Sequence, residues 1–203
     1  MIINKYIDNY FLILFCLIPL TIIIGSTVSL INIILIDISF LILIIKNRNF
    51  EFFKDKTIFY FFLLYFYLIF NSLISIDFFE GFFRNFGFIR IIVLFMAFNF
   101  FFLHDFFWKK VLKFWSLVIF IVLIDVFIES FFGKNILGYT GKNYGFGERI
   151  VSFFEDEPIV GSYLNGFFLI IVGFLIKEIK SKNFISMYLI MFFFISAIVL
   201  TGE

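Results

Sequence analysis

Residues 28–45 read VSLINIILIDISFLILII, and this stretch decides the class of fold. Its apolar residues lack the strict alternation of a half-buried strand, and its length approaches the ~20 residues that a helix needs to cross a bilayer. Inside hydrocarbon every backbone amide must be satisfied, so we expect a transmembrane helix. Asp37 lies midway along it, where a carboxylate is costly and usually faces a bundle interior. Such a group serves transporters, and a protonated or hydrogen-bonded packing residue is the alternative.

The rest of the chain has the same character. Of its 203 residues, 63% are hydrophobic and 15% are charged, and the mean hydropathy is +1.11. The charged share is below the ~25% that is usual for globular proteins. We therefore predict an all-α fold, a polytopic transmembrane helix bundle of about seven spans. The predicted spans are residues 10–24, 28–45, 58–76, 86–103, 111–128, 159–176 and 184–200.

Basic residues predict the orientation, because cytoplasmic loops accumulate lysine and arginine. They cluster before the first span and after the second, fourth and sixth, so the N-terminus is predicted to be cytoplasmic. The longest external loop is then residues 129–158, which are richer in glycine and polar residues than the rest of the chain. The cytoplasmic clusters contain Lys5, then Lys46, Arg48, Lys54 and Lys56, then Lys109, Lys110 and Lys113, then Lys177, Lys180 and Lys182.

Several function classes are excluded by the pattern. The net charge of +1 and the short basic loops give no continuous stripe for nucleic acid. The single cysteine, Cys16, excludes an intrachain disulfide. The glycines around Lys142 are not a nucleotide loop, because no strand precedes them and the Gly-Lys-Ser/Thr ending is missing. The acidic residues 155–157 are interpreted as a helix start before Pro158, so we predict neither a metal nor a cofactor.

The second half carries a recurring set of motifs. Asp125 lies near the end of the fifth span and is followed by Gly133, Asn135 and Gly138, which form a Gly-x-Asn-x-x-Gly element. Then comes RIVSFFEDEPIVGSYL, residues 149–164, and later LTGE at residues 200–203. In order and spacing this half resembles the O-antigen ligase and O-antigen polymerase family, whose second element reads Arg-x-x-Gly-x-Phe-x-Asp-Glu-x-x-x-Gly-x-Tyr-Leu. Two positions depart from that pattern: Ser152 replaces a common Gly, and Glu129 replaces a frequent Gln.

The resemblance implies a membrane glycosyltransferase of the bacterial inner membrane, active on its external face without a metal. It would transfer a glycan from an undecaprenyl diphosphate carrier to another glycan or to a lipid A-core type acceptor, as in lipopolysaccharide assembly. The family's base is commonly a histidine in a large external loop, which this sequence lacks. The only histidine, His104, lies at the cytoplasmic end of the fourth span. We expect the base beyond Glu203, and therefore a fragment of residues 1–203 that is inactive alone and lacks the family's carboxy-terminal half.

Arginine suits the diphosphate leaving group, because its planar guanidinium pairs phosphate oxygens bidentately and stays protonated. We predict that Arg149, Arg90 and Arg84 bind the lipid diphosphate. Asp125 is predicted to pair with Arg90, since both lie about one turn inside the external face on consecutive helices. Asp156 and Glu157 are expected to support the site.

Two alternatives to the enzyme remain. A transporter or flippase for polysaccharide or lipid-linked sugar is favoured by Asp37 alone, and no internal repeat accompanies it. An accessory membrane scaffold without activity is the other, because the chain holds no external base.

Overall fold

The fold is a set of apolar helices, described by a computed structural model over residues 5–48, 56–103, 105–143, 148–155, 159–178 and 184–202. Each predicted span lies largely within helix, which confirms the α-helical fold class. Within these described residues five helical segments are long and apolar enough to cross a membrane, with Phe78–Phe102 counted as one, and two shorter apolar segments are Val160–Ile176 and Met187–Leu200. The helices are α1 (Lys5–Ile24), α2 (Ser26–Asn47), α3 (Lys56–Ile74), α4 (Phe78–Phe86), α5 (Ile89–Phe102), α6 (Asp105–Phe132), α7 (Val160–Glu178) and α8 (Phe184–Leu200).

The chain divides into two compact units. The first comprises Met1–Ile18 and Thr27–Lys109, and the second comprises Pro19–Ser26 and Lys110–Glu203. In the first unit α1 and α2 run antiparallel: Asn32 Nδ2 donates to the Leu14 carbonyl at 3.2 Å, and the Tyr10 and Ser39 hydroxyls lie 3.0 Å apart. Helices α1 and α2 therefore form a tight helical hairpin.

The core of the first unit is aromatic. Phe101 of α5 lies between Phe11 of α1 and Phe107 of α6, with ring centroids 4.4 and 4.9 Å away. Phe15 meets the same Phe107 edge-on at 5.6 Å. Rings at these distances gain about 0.5–1.5 kcal/mol per pair beyond the area they bury. The phenylalanine-rich stretches therefore supply much of the packing here.

Helices α3 and α4–α5 form a second antiparallel hairpin in the first unit. Asn85 of α4 donates to the Leu68 carbonyl at 3.1 Å and to the Ser72 hydroxyl at 2.7 Å, and Phe61 meets Phe95 at 4.7 Å. The segment between the predicted third and fourth spans is thus helical. Arg84, which the sequence placed in a connecting loop, lies instead on α4.

The second unit is built on α6, α7 and α8. Trp115 of α6 packs edge-on against Phe167 of α7, and Phe168 of α7 packs against Phe194 of α8, at 5.2 and 5.5 Å. Between α6 and α7 the chain forms an antiparallel pair of two-residue strands, β1 (Lys142–Asn143) and β2 (Glu148–Arg149), and a 3₁₀ turn, Ser152–Phe154. Residues 156–158, predicted to start the next helix, lie outside the described residues, and α7 begins at Val160.

Candidate functional site

Two carboxylates at the end of α6 organise the second unit. Asp125 and Glu129 are four residues apart, so they share one face of the helix. Their side chains are 0% and 3% exposed. Like charges at this spacing repel each other, and both lie near the negative end of the helix dipole. A buried pair of this kind requires strong hydrogen-bond donors, and the following loop supplies them.

Asp125 binds the loop through both of its oxygens. Oδ1 accepts the backbone N–H of Ile136 at 2.9 Å, and Oδ2 accepts the hydroxyl of Ser152 at 2.6 Å. These two donors lie sixteen residues apart in sequence, so a single carboxylate joins the start of the loop to its end. Hydrogen bonds to an ionised group contribute about 1.5–3 kcal/mol each, roughly twice the value of a neutral one.

Glu129 binds the same loop one helical turn later. Its Oε1 accepts the N–H of Val151 at 3.1 Å, and its Oε2 accepts the N–H of Ser152 at 2.7 Å. Both acceptors are therefore used by adjacent amides. A glutamine at this position has one acceptor oxygen and would turn its amino group toward the second amide. The family that this sequence resembles often has Gln at this position. Glutamate allows a second amide contact here.

The Gly-x-Asn-x-x-Gly element forms a turn that is held by its asparagine. The Asn135 amide oxygen accepts the N–H of Tyr139 at 2.7 Å, and its amino group donates to the carbonyl of Ser152. The backbone N–H of Asn135 also donates to the Tyr139 carbonyl at 2.8 Å. Gly133 and Gly138 have φ values of +72° and +91°, in the region that residues with a Cβ seldom adopt. The spacing of this motif is therefore explained by the geometry of the turn.

Ser152 is the residue on which these contacts converge. Its N–H binds Glu129, its hydroxyl binds Asp125 and its carbonyl accepts from Asn135. Its φ of +47° is in the left-handed region, which costs a residue with a Cβ roughly 1–2 kcal/mol. A glycine would be relaxed here, whereas serine offsets the strain with one more hydrogen bond. Serine at this position therefore fits the structure.

A polar cavity of about 220 Å³ lies beside this loop. Gly141 closes one side of it: a Cβ added there would lie 2.7 Å from the Arg149 carbonyl oxygen, so only glycine permits this approach of β1 to β2. The lining of the cavity comprises Glu129, Ser130, Gly133, Gly141, Arg149, Ile150 and Leu200.

The predicted site residues are distributed over both units. Arg149 and Asp125 belong to the second unit, where Arg149 contributes to the cavity and Asp125 fixes the loop. Arg84 and Arg90 belong to the first unit, on α4 and α5, and both are exposed. Asp156 and Glu157 lie outside the described residues, as does His104. The predicted pairing of Arg90 with Asp125 stays a prediction, because the two residues belong to different units.

Asp37 of α2 is the other unusual acid. It is 6% exposed, and within the described parts of the chain no donor reaches either of its oxygens. The charged group that acts on it electrostatically is Arg90 of α5, in the same unit. A buried carboxyl without a hydrogen-bond partner is costly in an apolar environment. Among the described residues no cluster of three His, Cys, Asp or Glu side chains forms that would suit a metal ion.

Sequence reasoning missed the roles of Glu129 and Ser152, which it recorded only as departures from a pattern. A signal for Glu129 was present: an acid one turn beyond another acid, at a span end that precedes a glycine-rich loop. Nothing in the sequence indicated the positive φ of Ser152.

The fold and the apolar helices define the chain as a helical membrane protein. Comparisons with protein-family models, curated proteins and solved structures find no match to it.

Proposed function

We propose that this chain is the donor-binding part of a membrane glycosyltransferase of the O-antigen ligase or polysaccharide polymerase type. It crosses the bacterial inner membrane seven times from a cytoplasmic N-terminus. Its reaction breaks the bond between a glycan's anomeric carbon and the diphosphate of an undecaprenyl carrier and joins that carbon to an acceptor oxygen. The observation that carries this proposal is the polar cavity at the end of α6, beside a loop that two buried carboxylates hold in place.

The orientation supports the external position of this cavity. The basic residues Lys109, Lys110 and Lys113 lie at the opposite end of α6, which the distribution of charge assigns to the cytoplasm. The cavity is then on the side where a lipid-linked glycan is presented for assembly outside the cell. A polar cavity at the end of an apolar helix suits a substrate with a lipid tail and a charged head.

Arg149 is the residue of this loop with the right charge for the leaving group. As the glycosidic bond breaks, the diphosphate gains negative charge, and a guanidinium stabilises it by paired hydrogen bonds. Arg90 and Arg84 are proposed to add positive charge from the first unit. The proton of the acceptor's hydroxyl must go to a base as the new bond to the anomeric carbon forms.

The test is donor binding by the purified chain in nanodiscs. Undecaprenyl diphosphate should bind the wild type, and Arg149→Gln should weaken it about 10- to 100-fold, the range that hydrogen bonds to a charged group produce. Lys113→Gln, at the other end of α6, is the matched control and should bind normally. Equal binding by the wild type and Arg149→Gln, with both proteins equally stable, would refute the proposal.

Transport is the second candidate function. It is favoured by the buried carboxyl of Asp37, which has no hydrogen-bond partner among the described residues. A lipid-linked sugar transporter would use a titrating group within the membrane. Proteoliposomes separate the two functions: a transporter moves a fluorescent lipid-linked sugar between leaflets and loses this activity with Asp37→Asn. A glycosyltransferase leaves the lipid in its leaflet.

A further inference from the structure

A larger cavity of about 770 Å³ lies along the helices of the second unit. It is an apolar groove between α6, α7 and α8, and it is lined by leucine, isoleucine and phenylalanine side chains with the single hydroxyl of Ser116. On α6 it extends from Ser116 to Phe127. The eleven residue steps between them correspond to about 16 Å of helix, roughly half of the hydrocarbon thickness of a bilayer.

The groove leads into the polar cavity along α6. Ser116, Phe120, Leu123 and Phe127 line the groove at spacings of four, three and four residues, which place them on one stripe of the helix. The next residue of that stripe is Ser130, three residues after Phe127. It lines the polar cavity. The stripe thus changes from apolar to polar at one position, between Phe127 and Ser130.

Helix α8 shows the same change from groove-lining residues to a residue that lines the polar cavity. Ile190 and Phe193 line the groove, and Leu200 lines the polar cavity. Ala197, which is fully buried, continues the same stripe between them at spacings of four and three residues. On both helices, therefore, the residues that line the groove are followed along one stripe by residues that line the polar cavity.

The geometry points to a single-chain polyprenyl phosphate lipid as the occupant, with its chain in the groove and its phosphate in the polar cavity. This inference rests on the proposed function and adds to it the path of the carrier's chain. The lining of this one groove is followed by that of a polar cavity that contains Arg149, which fits a lipid with one chain and a phosphate headgroup. Access is from the side, because Phe120 and Leu117 of the lining are 62% and 58% exposed.

The test fills the groove without touching the polar cavity. Ile124 lines the groove and is 41% exposed, whereas Ile121, one turn earlier on α6, is 46% exposed and lies outside the lining. Ile124→Trp and Ile121→Trp are therefore a matched pair of equal chemistry and similar exposure. Both proteins are studied in phosphatidylcholine nanodiscs with undecaprenyl diphosphate and with dimethylallyl diphosphate, whose single isoprene unit is too short to reach Ile124, about 9 Å along α6 from Ser130.

We expect Ile124→Trp to weaken undecaprenyl diphosphate binding about three- to tenfold, the scale of single packing contacts within a membrane. Dimethylallyl diphosphate binding should not change, and Ile121→Trp should resemble the wild type for both ligands. If Ile124→Trp binds undecaprenyl diphosphate as the wild type does, the chain lies elsewhere and the inference is wrong, while the proposed function stands.

Two further outcomes separate the other possibilities. Phosphatidylglycerol that displaces undecaprenyl diphosphate at equal concentration would show that the groove takes ordinary phospholipid, which overturns the inference. A wild type that binds neither diphosphate would refute the proposed function and the inference together.

Discussion

The hydroxyl of Ser152 donates a hydrogen bond of 2.6 Å to Oδ2 of Asp125, across twenty-seven residues of chain. The contact joins the end of the loop to a carboxylate that is fully buried in α6. It also explains how a residue with a Cβ is kept at a φ of +47°. Strain of this kind persists only where surrounding contacts determine the conformation.

Two substitutions at Ser152 separate the strain from the hydrogen bond. Ser152→Ala keeps the strain and loses a bond to a charged group, so the free energy of unfolding should fall by about 1.5–3 kcal/mol. Ser152→Gly loses the same bond but relieves about 1–2 kcal/mol of strain. Thermal unfolding in detergent should therefore rank wild type above Gly and Gly above Ala. An Ala variant as stable as the wild type would show that the bond contributes nothing.

Glu129→Gln tests the double amide contact. Only one oxygen remains to accept from Val151 and Ser152, so one buried amide loses its partner at a cost of about 1–3 kcal/mol. Hydrogen exchange at residues 150–153 should accelerate relative to the wild type, while the α6 amides stay protected. Glu80→Gln, an exposed acid on α4, is the control and should leave this exchange unchanged. Unchanged protection in Glu129→Gln would contradict the assignment.

A glycine with a positive φ and a glycine within a helix should respond oppositely to substitution by alanine. Gly138 has a φ of +91°, so Gly138→Ala should destabilise the protein by about 1–2 kcal/mol. Gly173 lies within α7, and a Cβ added there meets no atom within 4 Å among the described residues. Gly173→Ala should therefore be neutral or stabilising by up to about 1 kcal/mol. Thermal unfolding measures both, and a stable Gly138→Ala would show that the turn accepts another conformation.

The helices could be predicted from the sequence because the pattern that indicates them is local. Runs of apolar residues of the right length give the same answer wherever the neighbouring helices lie, and the hairpin around Gly25 follows from a connection too short for anything else. The helical connector α4 was missed, because Arg84, Asn85 and Glu80 make it polar. The Asn85 side chain of α4 donates a hydrogen bond to the Ser72 hydroxyl of α3, and this contact forms only when the two helices pack.

The loop that carries the candidate site could be recognised in the sequence, whereas the contacts of its residues could not. The positions of Asp125, Asn135 and Arg149 followed from the order of motifs. The role of Asp125 as an acceptor for Ile136 and Ser152 depends on how the loop folds back, which spacing along the chain does not encode. An acid at a span end suggests an arginine as partner, whereas here a backbone amide and a hydroxyl satisfy both of its oxygens.

The orientation can be tested by labelling. In a background with Cys16→Ser, Thr140→Cys should react with an impermeant thiol reagent in intact spheroplasts, because residue 140 belongs to the proposed external loop. Asn49→Cys, in the basic segment after α2, should react only after lysis. The reverse pattern would place the polar cavity in the cytoplasm and remove the basis for an external glycosyl transfer.

Arg90 has two candidate partners, and a double-mutant cycle distinguishes them. Asp37 is buried without a hydrogen-bond donor among the described residues, and Arg90 acts on it electrostatically. Arg90→Gln should therefore destabilise the wild type more than it destabilises Asp37→Asn, with a coupling of about 0.5–3 kcal/mol. Arg84→Gln, another exposed arginine of the first unit, is the control and should show almost no coupling to Asp37.

The same cycle with Asp125→Asn tests the pairing that the sequence predicts. Both Asp125 oxygens already accept from the loop, so they gain less from a cation than the unpartnered oxygens of Asp37 do. We therefore expect the Asp37 coupling to be the larger of the two. A larger coupling to Asp125 would confirm the predicted pair and would make Arg90 a support of the loop beside the polar cavity. Donor binding then decides its chemical role: an Arg90→Gln protein that binds undecaprenyl diphosphate normally has lost only a structural contact.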